Sequence, residues 1–328
     1  MGTARYLANK LLQLFFTLLF VLTIAFFLFR VWMPGDPVTT FARSSGAKFT
    51  EEQLQQIRHD WGLDVPLFPD QYVAFMTDNM TFNFGVSTVV DPGTNVSTMY
   101  WHKMGKSFLL ILTSTIASII IGVILGIKSG WKRRSALDNT SMGSSMLLYA
   151  MPEFVLGMIL LLLFSNAVHL FPSGGYESAV GHHGFDRVVD IGRHMALPWL
   201  TLTLAYMGEF YLVMRSSLLD VLGEEFIALS RAKGVREKYV LRHHAVPNAL
   251  LPTITLVALS FGFILGGVIT VELVFSYPGV GKLSVDALFA HDFPMLQATF
   301  VISVIAVLVA NLIADLSYAY LDPRVRRA

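Results

Sequence analysis

The sequence predicts an all-α polytopic membrane protein with six transmembrane helices. Three observations carry that expectation. Of 328 residues, 54% are hydrophobic and only 14% are charged, where soluble domains run near about 25% charged. Six apolar stretches reach, or nearly reach, the roughly 20 residues a helix needs to cross a bilayer. The basic residues are shared unevenly among the intervals between them.

The first stretch, Leu11 to Phe29, follows Arg5 and Lys10 and ends at Arg30. It is too long for a signal-peptide core, and no small-x-small cleavage pattern follows it. Residues 1–31 therefore read as the N-terminus and an uncleaved first span. Residues 32–104 form the longest polar interval, a small extramembrane subdomain. Trp32-Met33-Pro34-Gly35-Asp36-Pro37 breaks the helix. Thr50-x-x-Gln53 is a capping-box pattern for a helix running to about Asp60, which Gly62 stops. Gln71–Met80 reads as another helix.

Residues 105–321 hold the other five spans. Ser107–Ile127 is the second, and its Gly122 and Gly126 make a face that permits close helix contact. Met146–Phe164 is the third, with a polar break at Pro152-Glu153. The loop after it carries His169, His182, His183 and His194. Ala196–Val213, enclosing Pro198 and Glu209, is the fourth, and Leu251–Val271 the fifth. Residues 272–297 form a further external segment with a turn at Ser276–Gly281; Leu283–Phe289 is apolar but too short to span. Ala298–Tyr318, with Asn311 and Asp315, is the sixth. Residues 322–328 are a tail.

Charge sets the orientation. With the N-terminus in the cytoplasm, 15 of the 24 Lys and Arg residues fall on the cytoplasmic side, as the positive-inside rule requires. Both termini, and the loop over residues 215–250, are then cytoplasmic.

That loop is the longest charged interval between two apolar runs. Glu224–Lys233 reads as a short helix with acidic residues early and basic residues late, the order favoured by the helix dipole. Phe226, Ile227, Leu229 and Val235 do not share one wide core stripe. Gly234 ends the helix in a left-handed turn, and Arg236–His244 starts a second one, with Tyr239, Val240 and His243 close together. A helix–glycine–helix unit with a small apolar face and a charged rim is a docking knob; a solvated loop is its bland alternative.

No intrinsic chemistry is expected. Without cysteine there are no disulfides and no thiolate ligands. No Gly-x-x-x-x-Gly-Lys-Ser/Thr loop is present to hold ATP, and no His-Glu-x-x-His. The pairs His182-His183 and His243-His244 lack carboxylates at ligand spacing, so neither a metal nor a cofactor is expected, and nothing points to nucleic acid. Glu153, Glu209 and Asp315 lie within spans, where charge is costly and normally faces a cavity or a partner; they are candidates to line a substrate path. Two classes remain: a transport subunit energised by a separate protein, and a membrane scaffold. An ion-coupled carrier is disfavoured, because no inverted repeat is visible.

The stretch Glu225-Phe226-Ile227-Ala228-Leu229-Ser230-Arg231-Ala232-Lys233-Gly234, continued by Val240 to Pro252, resembles the EAA-type motif of permease subunits of bacterial and archaeal ATP-binding cassette importers. Phe226 and Ile227 replace the small residues of the general motif, as is usual in the peptide, opine and nickel group. Pro34-Gly35-Asp36-Pro37, Trp61-Gly62-Leu63-Asp64, Phe84-Gly85-Val86-Ser87, Arg215–Leu219, Val271–Gly281 and Tyr320–Arg326 fit that group as well. Together they cover nearly the whole chain, and the long interval after the first span is typical of a B-type permease.

The resemblance implies a type I importer permease fold forming half of a pathway for di- or oligopeptides, with nickel or another small solute as the alternative. A homologous second permease, two ATPase subunits and an extracytoplasmic binding protein are the implied partners. By the same resemblance Glu225, Ala228, Arg231, Ala232, Gly234, Val235 and Tyr239 couple to an ATPase. Asp36, Trp61, Tyr277 and Pro278 face the binding protein.

Overall fold

The computed structural model describes residues 3–32, 36–44, 46, 48–179, 181–264 and 268–321. Among them the secondary structure is helical, apart from one isolated bridge between Val86 and Asn95. The helices are α1 (Thr3–Phe27), α2 (Pro37–Ser44), α3 (Glu51–Asp60), α4 (Tyr72–Met80), α5 (Val96–Trp131), α6 (Ala136–Ala150) and α7 (Glu153–Leu160). Then come α8 (Phe185–Leu222), α9 (Glu225–Ala232), α10 (Glu237–Tyr239), α11 (Val246–Ile264), α12 (Ile269–Val274), α13 (Val280–Ala290) and α14 (Phe293–Leu321). Stretches in α1, α5 and α14 are long and apolar enough to cross a membrane, and α6 with α7 makes a bent pair that passes the same test. The apolar stretches expected as fourth and fifth spans lie on α8 and α11, and residues 265–267 of the fifth lie outside the described residues.

The third expected span is thus two helices meeting at 108° rather than one straight rod. The residue before a proline is pushed out of the helical region by the proline ring. Met151, before Pro152, has φ −84° and ψ 128°, and α7 starts afresh at Glu153.

The chain divides into two compact units: residues 1–107, 265–269 and 278–328, and residues 108–264 and 270–277. In the first unit Phe26 of α1 meets Phe75 and Tyr72 of α4 edge-on, at 5.5 and 5.2 Å between ring centroids. Tyr100 and Met104 of α5, Leu283 of α13 and Ile302 of α14 complete the core. The capping box forms as expected: Thr50 Oγ1 accepts from Gln53 N–H at 3.3 Å, and Gln53 Oε1 accepts from Thr50 N–H at 2.9 Å. Gly62, at φ +61°, follows the end of α3.

A buried carboxylate ties this unit's loop 87–90 to the start of α14. Asp292 Oδ2 accepts from Ser87 Oγ at 2.5 Å and from the N–H groups of Thr88, Val89 and Val90 at 3.1, 3.0 and 3.0 Å. Its Oδ1 accepts from Thr88 Oγ1 at 3.2 Å and from Met295 N–H at 3.3 Å, the latter capping α14. Burial alone would push this carboxyl up, but the donors outweigh it and hold the group below the usual carboxylate range.

In the second unit α5 and α8 touch through glycine. A Cβ on Gly122 would sit 2.7 Å from Met207 O, and one on Gly126 2.9 Å from Met214 Cβ and from Tyr211 O. In a bilayer, lipid is as apolar as leucine, so close packing rather than water exclusion holds helices together. The glycine face expected from the sequence supplies that packing. Near the same end, Arg215 of α8 grips Asp138 of α6 through two parallel bonds of 2.6 and 2.9 Å. Arg134 N–H and Ser129 Oγ also donate to Asp138.

Candidate functional site

After α8, the chain turns at Gly223 into α9. Ser230 O, Arg231 O and Gly234 then close the helix. Gly234 N–H donates to Arg231 O at 2.9 Å and Val235 N–H to Ser230 O at 3.3 Å. Those two bonds, with Gly234 at φ +76°, are the Schellman ending that reverses a chain within two residues. An added Cβ at Gly234 would meet nothing within 4 Å. The glycine is therefore required by its backbone angle and not by crowding.

Beyond the turn, α10 continues through a wide π-type turn, Val240–Ala245, into α11. Pro247 lacks an N–H and its ring crowds the carbonyl four residues back. The widened turn just ahead of it accommodates both defects within one continuous rod.

The apolar residues of α9 split between two sides. Ile227 is fully buried with Met214 and Leu218 of α8, Val240, Ala245 and Ala249, and Val235 packs at the margin. Phe226 and Leu229 stay 41% and 57% exposed, and Tyr239 50%. One isoleucine thus anchors the element while a second apolar face stands outward. Charge frames that face: Arg231 reaches Glu237 across the turn at 3.1 Å and lies 5.8 Å from the Trp131 ring centroid. Tyr239 stacks on His243 with ring centroids 4.1 Å apart. Glu225, Ala228, Arg231, Ala232, Gly234 and Tyr239 are all exposed, and Val235 is half-buried.

The structure brings two of the three intramembrane carboxylates together. Glu153, at the start of α7, and Glu209 of α8 line one cleft of about 520 Å³, with Tyr206 and Thr270. Pro152, at the bend, lines the same cleft. The side chain of Asp315 lies outside the described residues.

The four residues expected to face a binding protein are less alike than the motif implied. Asp36 accepts from Arg58 at 2.6 Å, and Trp61 packs against Phe41 with ring centroids 5.6 Å apart. Pro278 is half-buried. Tyr277 is fully buried, edge-on to Tyr176 at 5.8 Å, so its ring serves packing within its own unit. Pro34 and Gly35 of the adjoining motif, and the tail 322–328, lie outside the described residues.

Residues 118–327 match the family described as the binding-protein-dependent transport system inner membrane component, and residues 3–98 match its N-terminal companion. The chain belongs to this family. Full-length relatives agree. The oligopeptide transport system permease protein AppB of Bacillus subtilis is 35% identical over 98% of this chain and 99% of its own length. The glutathione transport system permease protein GsiC of Pectobacterium atrosepticum is 34% identical, over 98% of each. The dipeptide transport system permease protein DppB of Lactococcus lactis is 32% identical over 98% and 99%. The chain is thus a multi-pass helical transport permease of the ATP-binding cassette kind, as its loop motif implied.

Asp292 and the Asp138–Arg215 pair were missed from the sequence. Asp292-Phe293-Pro294 does read as a helix start, but its loop partners lie about two hundred residues away.

Proposed function

We propose that this chain is one half of the translocation pathway of a peptide importer, and that the helix–Gly234–helix element is its contact with a separate ATPase subunit. The observation that carries this reading is the split of α9: Ile227 anchored inward, with Phe226, Leu229 and the charged rim left outward. A solvated loop has no reason to hold large apolar side chains outward on a backbone fixed by a Schellman turn. The transport functions of the relatives, for oligopeptides, dipeptides and glutathione, favour a short peptide as cargo, since glutathione is itself a tripeptide.

The positive-inside bias favours a cytoplasmic location for this element and for both termini. A homologous second permease forms the other half of the pathway. ATP is hydrolysed in two partner subunits, whose closure shifts the permease between inward and outward states. An extracytoplasmic protein delivers the peptide to the opposite side, where Asp36, Trp61 and Pro278 are its candidate contacts. Glu153 and Glu209, facing one cleft, are the pathway's candidate sites for a peptide's ammonium end.

Purification from the native membrane in mild detergent tests the reading. A second permease and ATPase subunits should accompany the chain, and proteoliposomes of that assembly with the binding protein should take up dipeptides when ATP is supplied. A chain that purifies alone, or an assembly that takes up no peptide, would overturn it.

A further inference from the structure

Within the first unit lies a cavity of about 530 Å³, well inside the size range of small-molecule sites. Its walls are aromatic, formed by Phe29, Trp61, Phe75, Phe84 and Phe293. All of these except Trp61 are buried. Arg30, at the end of the first span, opens into the same space. It is half-buried, and it makes no hydrogen bond or ion pair with any described residue; Asp78 acts on it only at longer range. A guanidinium offers five N–H donors in a fixed fork and cannot shed its charge. Partly withdrawn from water and without an acceptor among the described residues, it is a costly group, and a bound anion relieves that cost. Asp60 and Asp78 also line the cavity, and both are exposed, so the rim is acidic where the floor is basic.

We propose that this cavity binds a small zwitterionic solute, a di- or tripeptide with free termini. The carboxylate sits on Arg30, the ammonium meets Asp60 or Asp78, and apolar side chains lie against the rings. A sphere of this volume is about 10 Å across, and two extended residues span roughly 7 Å, so a dipeptide fits. The choice of a peptide rests on the function proposed above. A water-borne ligand is favoured over a lipid headgroup because Asp60, Trp61, Phe75, Asp78 and Phe84 come from the polar interval between the first two apolar spans and not from a span itself. Two rim carboxylates also repel an anionic lipid.

The test uses the whole transporter in detergent, without its binding protein, titrated calorimetrically with Phe-Phe. Parallel titrations use Phe-Phe amide, N-acetyl-Phe-Phe and lysophosphatidylethanolamine. Phe-Phe should bind saturably. Amidation, or Arg30→Gln, should each weaken it by roughly tenfold or more, the worth of a charge-assisted contact. In Arg30→Gln, amidation should then make no further difference, because both changes remove one interaction. Arg30→Lys, which keeps the charge, should recover part of the affinity and shows that the fold survives. Acetylation should weaken binding independently of Arg30. An absence of saturable binding, indicating a water-filled space only, would sink the proposal. So would equal affinity in Arg30→Gln, or lysophosphatidylethanolamine binding through Arg30 more tightly than the dipeptide. Peptide uptake into proteoliposomes is read separately: uptake without binding here removes this site alone, whereas absence of uptake removes the importer reading.

Discussion

Two turns of this chain are fixed by opposite means. The turn at Gly234 is closed by its own neighbours: two bonds between residues three and five apart, and one positive φ. The loop at 87–90 is closed by Asp292, more than two hundred residues away in sequence, which takes six donor contacts on its two oxygens. A locally closed turn can present its side chains outward and still keep its shape. A turn closed from afar is a tie, and its loss releases both of the segments it joins.

The largest effect expected from breaking this contrast is at Asp292. Asp292→Ala strands six donor contacts, four of them from backbone N–H groups. It should destabilise the protein by about 3–4 kcal/mol, in the range of a broken buried polar network. Thermal unfolding of the purified chain in detergent measures this; a change below about 1 kcal/mol would mean that water replaces the carboxylate without loss. The pH dependence has a definite sign. Because the folded carboxyl titrates below the usual range, its contribution is fully present above the ordinary carboxylate pKa of about 3.9. It is lost as pH falls through the lower, folded value. Asp292→Ala should therefore flatten the acid side of the stability profile.

A smaller effect on folding, and a larger one on activity, is expected at Gly234. An added Cβ has open space, so only the backbone angle is penalised, by roughly 1–2 kcal/mol for an ordinary side chain and more for a β-branched one. Asparagine tolerates this region better than alanine, and alanine better than valine. ATP hydrolysis stimulated by the binding protein should fall in the order Gly, Asn, Ala, Val, while the unfolding temperature barely separates the first two. If valine at this position couples normally, the left-handed turn is not what the partner reads.

The same contrast explains how much was legible in the sequence. The capping box at Thr50, the turn at Gly234 and the glycine face at Gly122 and Gly126 are local patterns, and each forms where its residues predicted. The bend between α6 and α7 was half legible. Pro152-Glu153 marked a break, but the angle depends on what α7 packs against. The Asp138–Arg215 grip and the Asp292 tie were not legible, because a lone aspartate carries no sign of a partner scores of residues distant. The burial of Tyr277 was hidden for the same reason. Its Ser-Tyr-Pro-Gly setting reads as an exposed turn, yet Tyr176, from another loop, covers the ring. Of the intramembrane carboxylates, chemistry singled out Glu153 and Glu209 individually, and only the fold brings them to one cleft.

The smallest stability effect, and the finest test of the local turn, lies in the Arg231–Glu237 pair. Both side chains are substantially exposed, at 42% and 58%, and exposed pairs of this kind contribute about 0–1 kcal/mol. Glu237→Gln should therefore leave the unfolding temperature almost unchanged. Arg231→Glu should cost little more in folding, because Trp131 loses a cation and Glu237 gains a like charge in high dielectric. If the rim reads a partner, however, the reversal places the wrong sign at the contact, and mismatched charge slows association and lowers affinity. Stimulated ATP hydrolysis should then fall several-fold for Arg231→Glu and hardly at all for Glu237→Gln, and the gap between them should narrow as salt screens the contact. Equal activity for both variants at low salt would mean that Arg231 only braces the turn, leaving recognition to the outward face of Phe226, Leu229 and Tyr239.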